Sequence, residues 1–186
     1  MFLNSYRRRL GAAALMRKIV IEERRFGDDN NGRMTNPLTA PWDGPYGGVP
    51  PWDQVRADDF PAAFATALTE ERAAVDEIAR SPLAPDFENT VAALQRVSRT
   101  KDRVLRLFGV MRNNMSTPEY RALDREWQPR LAAAADEIRF YPGLFERIDT
   151  VYQSLAGAGL RHDQERLTTL LRERFLRMGA ALTGSP

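Results

Sequence analysis

Residues 117–155, TPEYRALDREWQPRLAAAADEIRFYPGLFERIDTVYQSL, decide the fold class, because they contain two helix start signals. Thr117 and Pro118 offer a hydroxyl cap followed by proline at the first helical position, and Pro142 marks a second start. After each start, apolar residues recur every three or four positions, which predicts two amphipathic helices. The apolar positions are Tyr120, Leu123, Trp127, Leu131, Ala134 and Ile138, then Leu144, Phe145, Ile148, Val151, Tyr152 and Leu155.

The same helical pattern continues on both sides of this stretch. It predicts a helix from Asp58 to the break at Ser81, another from the cap Asp86 through Met115, and a last one from about Asp163. No segment shows the alternation of a sustained strand, and no long internal repeat occurs. The short links favour antiparallel neighbours. We therefore predict an all-α fold of about five amphipathic antiparallel helices, preceded by an extended arm rich in Pro, Gly and Trp.

Charge divides the chain into three predicted parts. Residues 1–35 carry eight basic and four acidic side chains, whereas the rest of the chain carries 19 basic and 21 acidic ones. We interpret 1–35 as a disordered or spurious leader with an alternative start at Met34, 36–57 as the extended arm, and 58–186 as a helical domain. Because the part after the leader is near neutral, we expect no nucleic-acid partner and interpret the many arginines as coding bias.

Composition excludes several kinds of chemistry. The chain has no cysteine, which removes disulfides and thiol nucleophiles and fits a reducing, cytoplasmic location. It has one histidine, His162, so a zinc site built on two helical histidines is impossible within it. The apolar run of the leader is too short to span a bilayer, and no membrane partner is expected. We predict no catalytic residue, no metal ligand and no cofactor in this chain, and its substrate-binding residues stay unknown.

The remaining polar candidates have structural interpretations. His162 is expected to cap a helix or lie at the surface. Three adjacent carboxylate pairs are expected to lie on solvated faces, because neighbouring helical residues point about 100° apart and cannot converge on one ion. Lys101 falls on an apolar stripe, where it either extends its stem along the core or pairs with a facing carboxylate. The pairs are Glu70 and Glu71, Asp76 and Glu77, and Asp136 and Glu137, with Arg72, Arg80, Arg130 and Arg139 near enough to balance them.

Several short blocks occur in order along the chain: NPL at 36–38, GGVPPWD at 47–53, DFPAAF at 59–64, PDFENT at 85–90, LFERI at 144–148 and RFLRMGAAL at 174–182. In sequence, order and spacing they resemble the first part of the M3 family of zinc metallopeptidases, in particular its peptidyl-dipeptidase and oligopeptidase A members, with the former favoured. The chain departs from the family pattern at Trp52, Asp59 and Met178, where phenylalanine, histidine and a small residue are usual.

The resemblance implies a mostly helical wall of a deep channel that admits short peptides. In that family the zinc ligands and the general base belong to an HExxH motif in the other half of the protein, and this sequence has no such motif. The resemblance therefore implies an N-terminal fragment that is inactive alone, whose partners are the missing catalytic half, in cis or in trans, and short peptides in the full-length form. The alternative is a stand-alone helical module that binds a protein or peptide.

Overall fold

The computed structural model describes residues 35–42 and 48–180, so the leader before Thr35, the part of the extended arm at 43–47 and the chain after 180 lie outside the described residues. Its α-helices are α1 (Phe60–Ala79), α2 (Arg99–Met115), α3 (Pro118–Arg139), α4 (Leu144–Gln153) and α5 (His162–Arg177). A π-helix covers Phe87–Ala92, and 3-10 turns cover Ala57–Asp59 and Leu155–Gly157. No strand occurs in the described residues, which confirms the all-α prediction.

The second predicted helix differs most from the prediction. It is divided into the π-helix and α2 by a turn over residues 95–98. Asp86 does cap the π-helix, since its carboxylate accepts from the Asn89 backbone N–H at 2.7 Å. The turn matters because the hydroxyl of Ser98 donates to the carboxylate of Glu71 instead of capping α2. Ser98 therefore contacts Glu71 of α1 at the point where the predicted helix is interrupted.

The described residues up to Thr66 form one compact unit, and those from Ala67 onward form another. In the first unit the Asn36 amide donates to the Asp59 carbonyl at 2.8 Å, and its oxygen accepts from the Leu38 N–H at 2.9 Å. The carboxylate of Asp59 accepts from the Arg56 N–H at 3.0 Å just before α1 begins. Leu38 is fully buried, as is Phe60. The arm is thus fixed to the start of α1 by hydrogen bonds and apolar burial.

The core of the second unit lies where the C-terminal half of α1, the π-helix, α4 and α5 meet. α4 and α5 form a hairpin in which Arg172 binds Asp149 at 2.5 Å and stacks 4.3 Å from the Tyr152 ring centroid. The buried core residues are Val75, Ile78, Phe87, Val91, Leu144, Ile148, Val151, Leu171, Phe175 and Ala180.

No helix in the part of the chain that the structure describes is long and apolar enough to cross a membrane.

α2 and α3 form a second helix pair with a thinner core. The Phe108 and Tyr120 rings lie 6.2 Å apart, and Arg112 binds Asp124 at 2.8 Å. The predicted start at Thr117 and Pro118 is confirmed, but the Thr117 hydroxyl makes no capping bond to the backbone. It hydrogen-bonds instead to the carboxylate of Glu119, whose pKa is lowered by that contact. α3 continues through Pro129 to Arg139.

Candidate functional site

Arg147 of α4 makes four hydrogen bonds within the described residues. It is 8% exposed, and its Nη1 donates to the carbonyls of Ser81 and Leu83 at 3.0 and 3.1 Å. Its Nη2 donates to Asn89 Oδ1 at 3.0 Å and to Thr90 Oγ1 at 3.4 Å. All four acceptors are uncharged, so the guanidinium acts as a multidentate donor that holds the loop after α1 against the π-helix.

This contact joins two of the sequence blocks that carry the family resemblance. Asn89 belongs to PDFENT and Arg147 to LFERI, and they are 58 positions apart in the chain. Asn89 also donates to the Ala84 carbonyl at 2.9 Å, which fixes the loop before it. In the first unit, Asn36 of NPL bonds to Asp59 of DFPAAF in a similar way. Arg147, Asn89 and Asn36 each donate to at least one backbone carbonyl, which indicates that they hold the fold.

Glu71 of α1 forms a second buried polar cluster with Lys101 and Ser98. The sequence analysis predicted that Glu71 lies on a solvated face. That prediction is wrong for Glu71, which is 2% exposed. Its Oε1 accepts from Lys101 Nζ at 2.5 Å and also from the Ser98 hydroxyl, while its Oε2 is buried with no hydrogen-bond partner among the described residues. The ion-pair interpretation of Lys101 is confirmed. The signal for the site was Lys101 itself, because a charged residue on an apolar stripe requires a buried counter-charge.

The other carboxylate pairs lie nearer the surface. Asp76 accepts from the Tyr141 hydroxyl and pairs with Arg80 at 2.7 Å, whereas Glu77 is exposed. The hydrogen bond to Asp76, with burial second, raises the pKa of Tyr141 above its usual value. Asp136 and Glu137 are exposed and pair with Arg139 and Arg72 at 2.6 and 2.8 Å. Exposure to solvent and ion pairs with arginines therefore account for the charges of these carboxylates.

An open groove of about 550 Å³ runs between α1, α3 and the link that follows α3. Its walls include Arg72, Glu137 and Tyr141, and Phe140 adds an apolar ring that is 42% exposed. Arg72 and Glu137 pair with each other across it and the Tyr141 hydroxyl donates to Asp76, which leaves shape and the Phe140 ring as the means of holding a ligand.

The described residues do not fit a zinc site. No group of three or more His, Asp, Glu or Cys side chains within them could hold a metal ion. His162 is exposed at the first residue of α5, as expected for a surface histidine. Glu71, the most buried carboxylate, has a lysine and a serine as partners and no histidine. No step of metal chemistry can be assigned to these residues.

Two curated proteins are similar to most of the chain. The dipeptidyl carboxypeptidase of Salmonella typhimurium is 32% identical over 148 residues, which are 80% of this chain and 22% of that protein. The dipeptidyl carboxypeptidase of Escherichia coli is 32% identical over 134 residues, which are 72% of this chain and 20% of that protein. The chain is similar to part of a peptidase. It spans about a fifth of the length of these relatives.

No family model matches the chain. The resemblance to peptidases therefore depends on the two relatives and on the ordered blocks.

Proposed function

We propose that this chain is a channel-wall part of a dipeptidyl carboxypeptidase-like zinc peptidase of the M3 family, and that it hydrolyses no peptide by itself. The observation that carries the proposal is the 32% identity over 80% of the chain. The full-length form would cut short peptides in the cytoplasm. Zinc and the general base would be supplied by the catalytic part, where the metal activates a water molecule.

The contacts of the block residues support a scaffold role. Arg147 and Asn89 hold a loop to the π-helix, and Asn36 holds the arm to the start of α1. A catalytic residue would instead present a polar atom to a cleft. The part of the chain that resembles the peptidases is thus a framework, and the chemistry belongs to the partner.

The decisive experiment separates the chain from its catalytic part. The full chain is purified, its zinc content is measured by mass spectrometry, and release of dipeptides from a blocked tetrapeptide is followed by chromatography. We expect no stoichiometric zinc and no release. Dipeptide release by the chain alone that a chelator abolishes would overturn the proposal.

A second arm tests the partner. The Escherichia coli relative without the region that matches this chain is mixed with the chain, and chelator-sensitive release of dipeptides is measured. We expect activity above that of either protein alone. The chain carrying Arg147→Ala is the matched control, because loss of the loop contact should reduce the restored activity by disturbing the framework.

The alternative is a stand-alone helical module that binds a protein or peptide. The core of the second unit favours it, because ten apolar residues of this chain bury one another there. A single cooperative melt of a monomer that restores no activity would support the module. A chain that aggregates alone and dissolves with the catalytic part would support the peptidase.

A further inference from the structure

The π-helix at Phe87–Ala92 does not follow from the apolar pattern of its own sequence. Phe87, Val91 and Leu94 recur at spacings of four and three, which is the α-helical spacing. Phe87 and Val91 are buried, and Leu94 packs partly against the core. Since π-helices are rare and contain one residue more in each turn, contacts other than apolar burial must select the π-helix here.

The hydrogen bonds of Arg147 are suited to select it. Its Nη2 donates to Oδ1 of Asn89 at 3.0 Å and to Oγ1 of Thr90 at 3.4 Å, and both acceptors belong to the π-helix. Its Nη1 donates to the carbonyls of Ser81 and Leu83 in the loop after α1, residues 80–85. One guanidinium group therefore fixes the first half of the π-helix and the loop that leads into it.

Arg147 makes these bonds without a counter-charge. It forms no ion pair with any described residue, and its Nε is buried with no hydrogen-bond partner among them. Arg172, by contrast, binds the carboxylate of Asp149 at 2.5 Å. A buried cation without a counter-charge keeps much of its desolvation cost, so the bonded state of Arg147 lies close in free energy to an open state in which the guanidinium reaches water.

We propose that Arg147 is a latch that sets the register of this segment, and that the segment changes from a π-helix to an α-helix when the latch opens. In the π-helix the Ala93 N–H is shared between the carbonyls of Glu88, five residues earlier, and Thr90. In the α-helix the same N–H bonds to the Asn89 carbonyl, four residues earlier. Phe87 and Val91 stay on one face, because residues four apart share a face of an α-helix.

The loop after α1 absorbs the change of register. When the turn contains one residue fewer, the residues before Val91 rotate about the helix axis, and Asn89 and Thr90 leave the guanidinium. Leu83 of the loop is 65% exposed, and its neighbours on both sides are exposed as well, so the loop can shift without opening the core. Displacement of the loop and loss of the π-helix should therefore occur together.

The test identifies the acceptor of the Ala93 N–H. Scalar couplings across hydrogen bonds, measured by NMR on the isotope-labelled full chain, connect an amide nitrogen with the carbonyl carbon that accepts its hydrogen. We expect the Ala93 nitrogen to couple to the Glu88 carbonyl in the wild type and to the Asn89 carbonyl in Arg147→Met, whose unbranched side chain has no donor. Arg174→Met, at an exposed position of α5, is the matched control and should keep the Glu88 coupling.

A milder variant decides the question if Arg147→Met does not fold. Thr90→Val keeps the buried volume and removes one acceptor of the latch. The amides of Ala92 and Ala93 should then show relaxation dispersion from exchange between the two registers. The amide of Val151 in α4 should show none.

Three results would overturn the proposal. Coupling of Ala93 to Asn89 in the wild type would mean that there is no π-helix to release. A folded Arg147→Met that keeps the Glu88 coupling, or, where that variant does not fold, Thr90→Val without dispersion, would show that other contacts set the register. Loss of both couplings in a folded variant would mean that the helix melts instead of changing register. None of these measurements involves peptide hydrolysis, so the proposed function stands or fails separately.

Discussion

α3 and α4 are adjacent in the chain, yet they are buried to very different extents. α4 has 10 residues and buries Leu144, Arg147, Ile148 and Val151. α3 has 22 residues and buries only Tyr120 and Trp127. An amphipathic pattern predicts that a helix forms, but it does not tell how much of the helix another element covers.

The two helices are therefore stabilised differently. α4 is held by tertiary packing, because it contacts both α5 and the π-helix. α3 depends more on local terms: the alanine run at 132–135, and i to i+4 or i+3 ion pairs such as Glu126 with Arg130 at 3.2 Å. Such pairs contribute only about 0.2–0.5 kcal/mol each. We expect α3 to exchange its amide hydrogens faster than α4.

The largest expected effect comes from matched truncations in the two helices. Ile148→Ala should lower the free energy of unfolding by about 4 kcal/mol, because Ile148 is fully buried. Leu131→Ala in α3 should lower it by about 1 kcal/mol, because Leu131 is only half-buried. Urea unfolding followed by circular dichroism measures both. Equal losses would break the comparison between the helices.

The ion pair between Glu71 of α1 and Lys101 of α2 tests whether the region around α2 also depends on charge for its stability. Lys101→Met should cost about 3 kcal/mol, because it leaves the buried carboxylate of Glu71 without a counter-charge. The double variant E71L/K101M should recover most of that loss, since burying two apolar side chains avoids desolvating the ions. Urea midpoints of the wild type and both variants give the answer. A double variant as unstable as Lys101→Met would show that the charges are needed for packing.

Arg147→Ala tests the polar part of the α4 region. It leaves the carbonyls of Ser81 and Leu83 without their donor and should cost about 3 kcal/mol. That corresponds to a fall in Tm of roughly 6–12 °C. Arg174→Ala on the exposed side of α5 is the control, with an expected change under about 0.5 kcal/mol. Similar melting shifts in both would contradict the role assigned to Arg147.

Tyr141→Phe tests the link between α3 and α4. The Tyr141 hydroxyl donates to Asp76, and loss of this half-exposed bond should cost about 1 kcal/mol at pH 7. Because the pKa of Tyr141 is raised in the folded protein above its ordinary 10.0, the stabilisation is complete below pH 10 and is lost above it. The gap between wild type and variant in urea unfolding should therefore shrink above pH 10. A gap that is constant to pH 11.5 would contradict it.

The smallest expected effect lies between α2 and α3. Asp124→Asn removes the ion pair with Arg112 and should cost about 0.5 kcal/mol at pH 7, because both side chains are about a third exposed. The hydrogen bond from Arg112 lowers the pKa of Asp124 below its ordinary 3.8. Its stabilisation is therefore present above pH 3.8 and is lost as the pH falls further. Thermal melts at pH 7 and pH 2.5 measure it, with exposed Asp102→Asn as control.

Much of the fold was predictable from short-range signals. Capping at Asp86, proline at Pro118 and apolar spacing locate the helices, because each depends on residues within one or two turns. The break over residues 95–98 was not predictable, because its apolar residues continue the helical spacing. At the break Ser98 bonds to Glu71, 27 positions earlier in the chain, and no short-range signal predicts such a contact.

The candidate site was likewise predictable only in the features that depend on short-range signals. Lys101 could be recognised as a residue in need of a buried partner, but Glu71 could not be chosen among the carboxylates before the helices were placed. The blocks PDFENT and LFERI were recognisable as separate motifs. The contact between them, in which Arg147 binds Asn89, depends on the tertiary fold and could not be predicted from either motif.

The π-helix has a consequence for insertions and deletions. Its closing bond runs from the Ala93 N–H to the Glu88 carbonyl five residues earlier, so this turn contains one residue more than an α-helical turn. Removing one residue here would convert it to an α-helical turn and leave both flanks facing as before. The same deletion within α4 would rotate every following side chain of the helix by about 100°. A one-residue deletion that spares Asn89 and Thr90, the partners of Arg147, should therefore disturb the flanking helices less here than in α4.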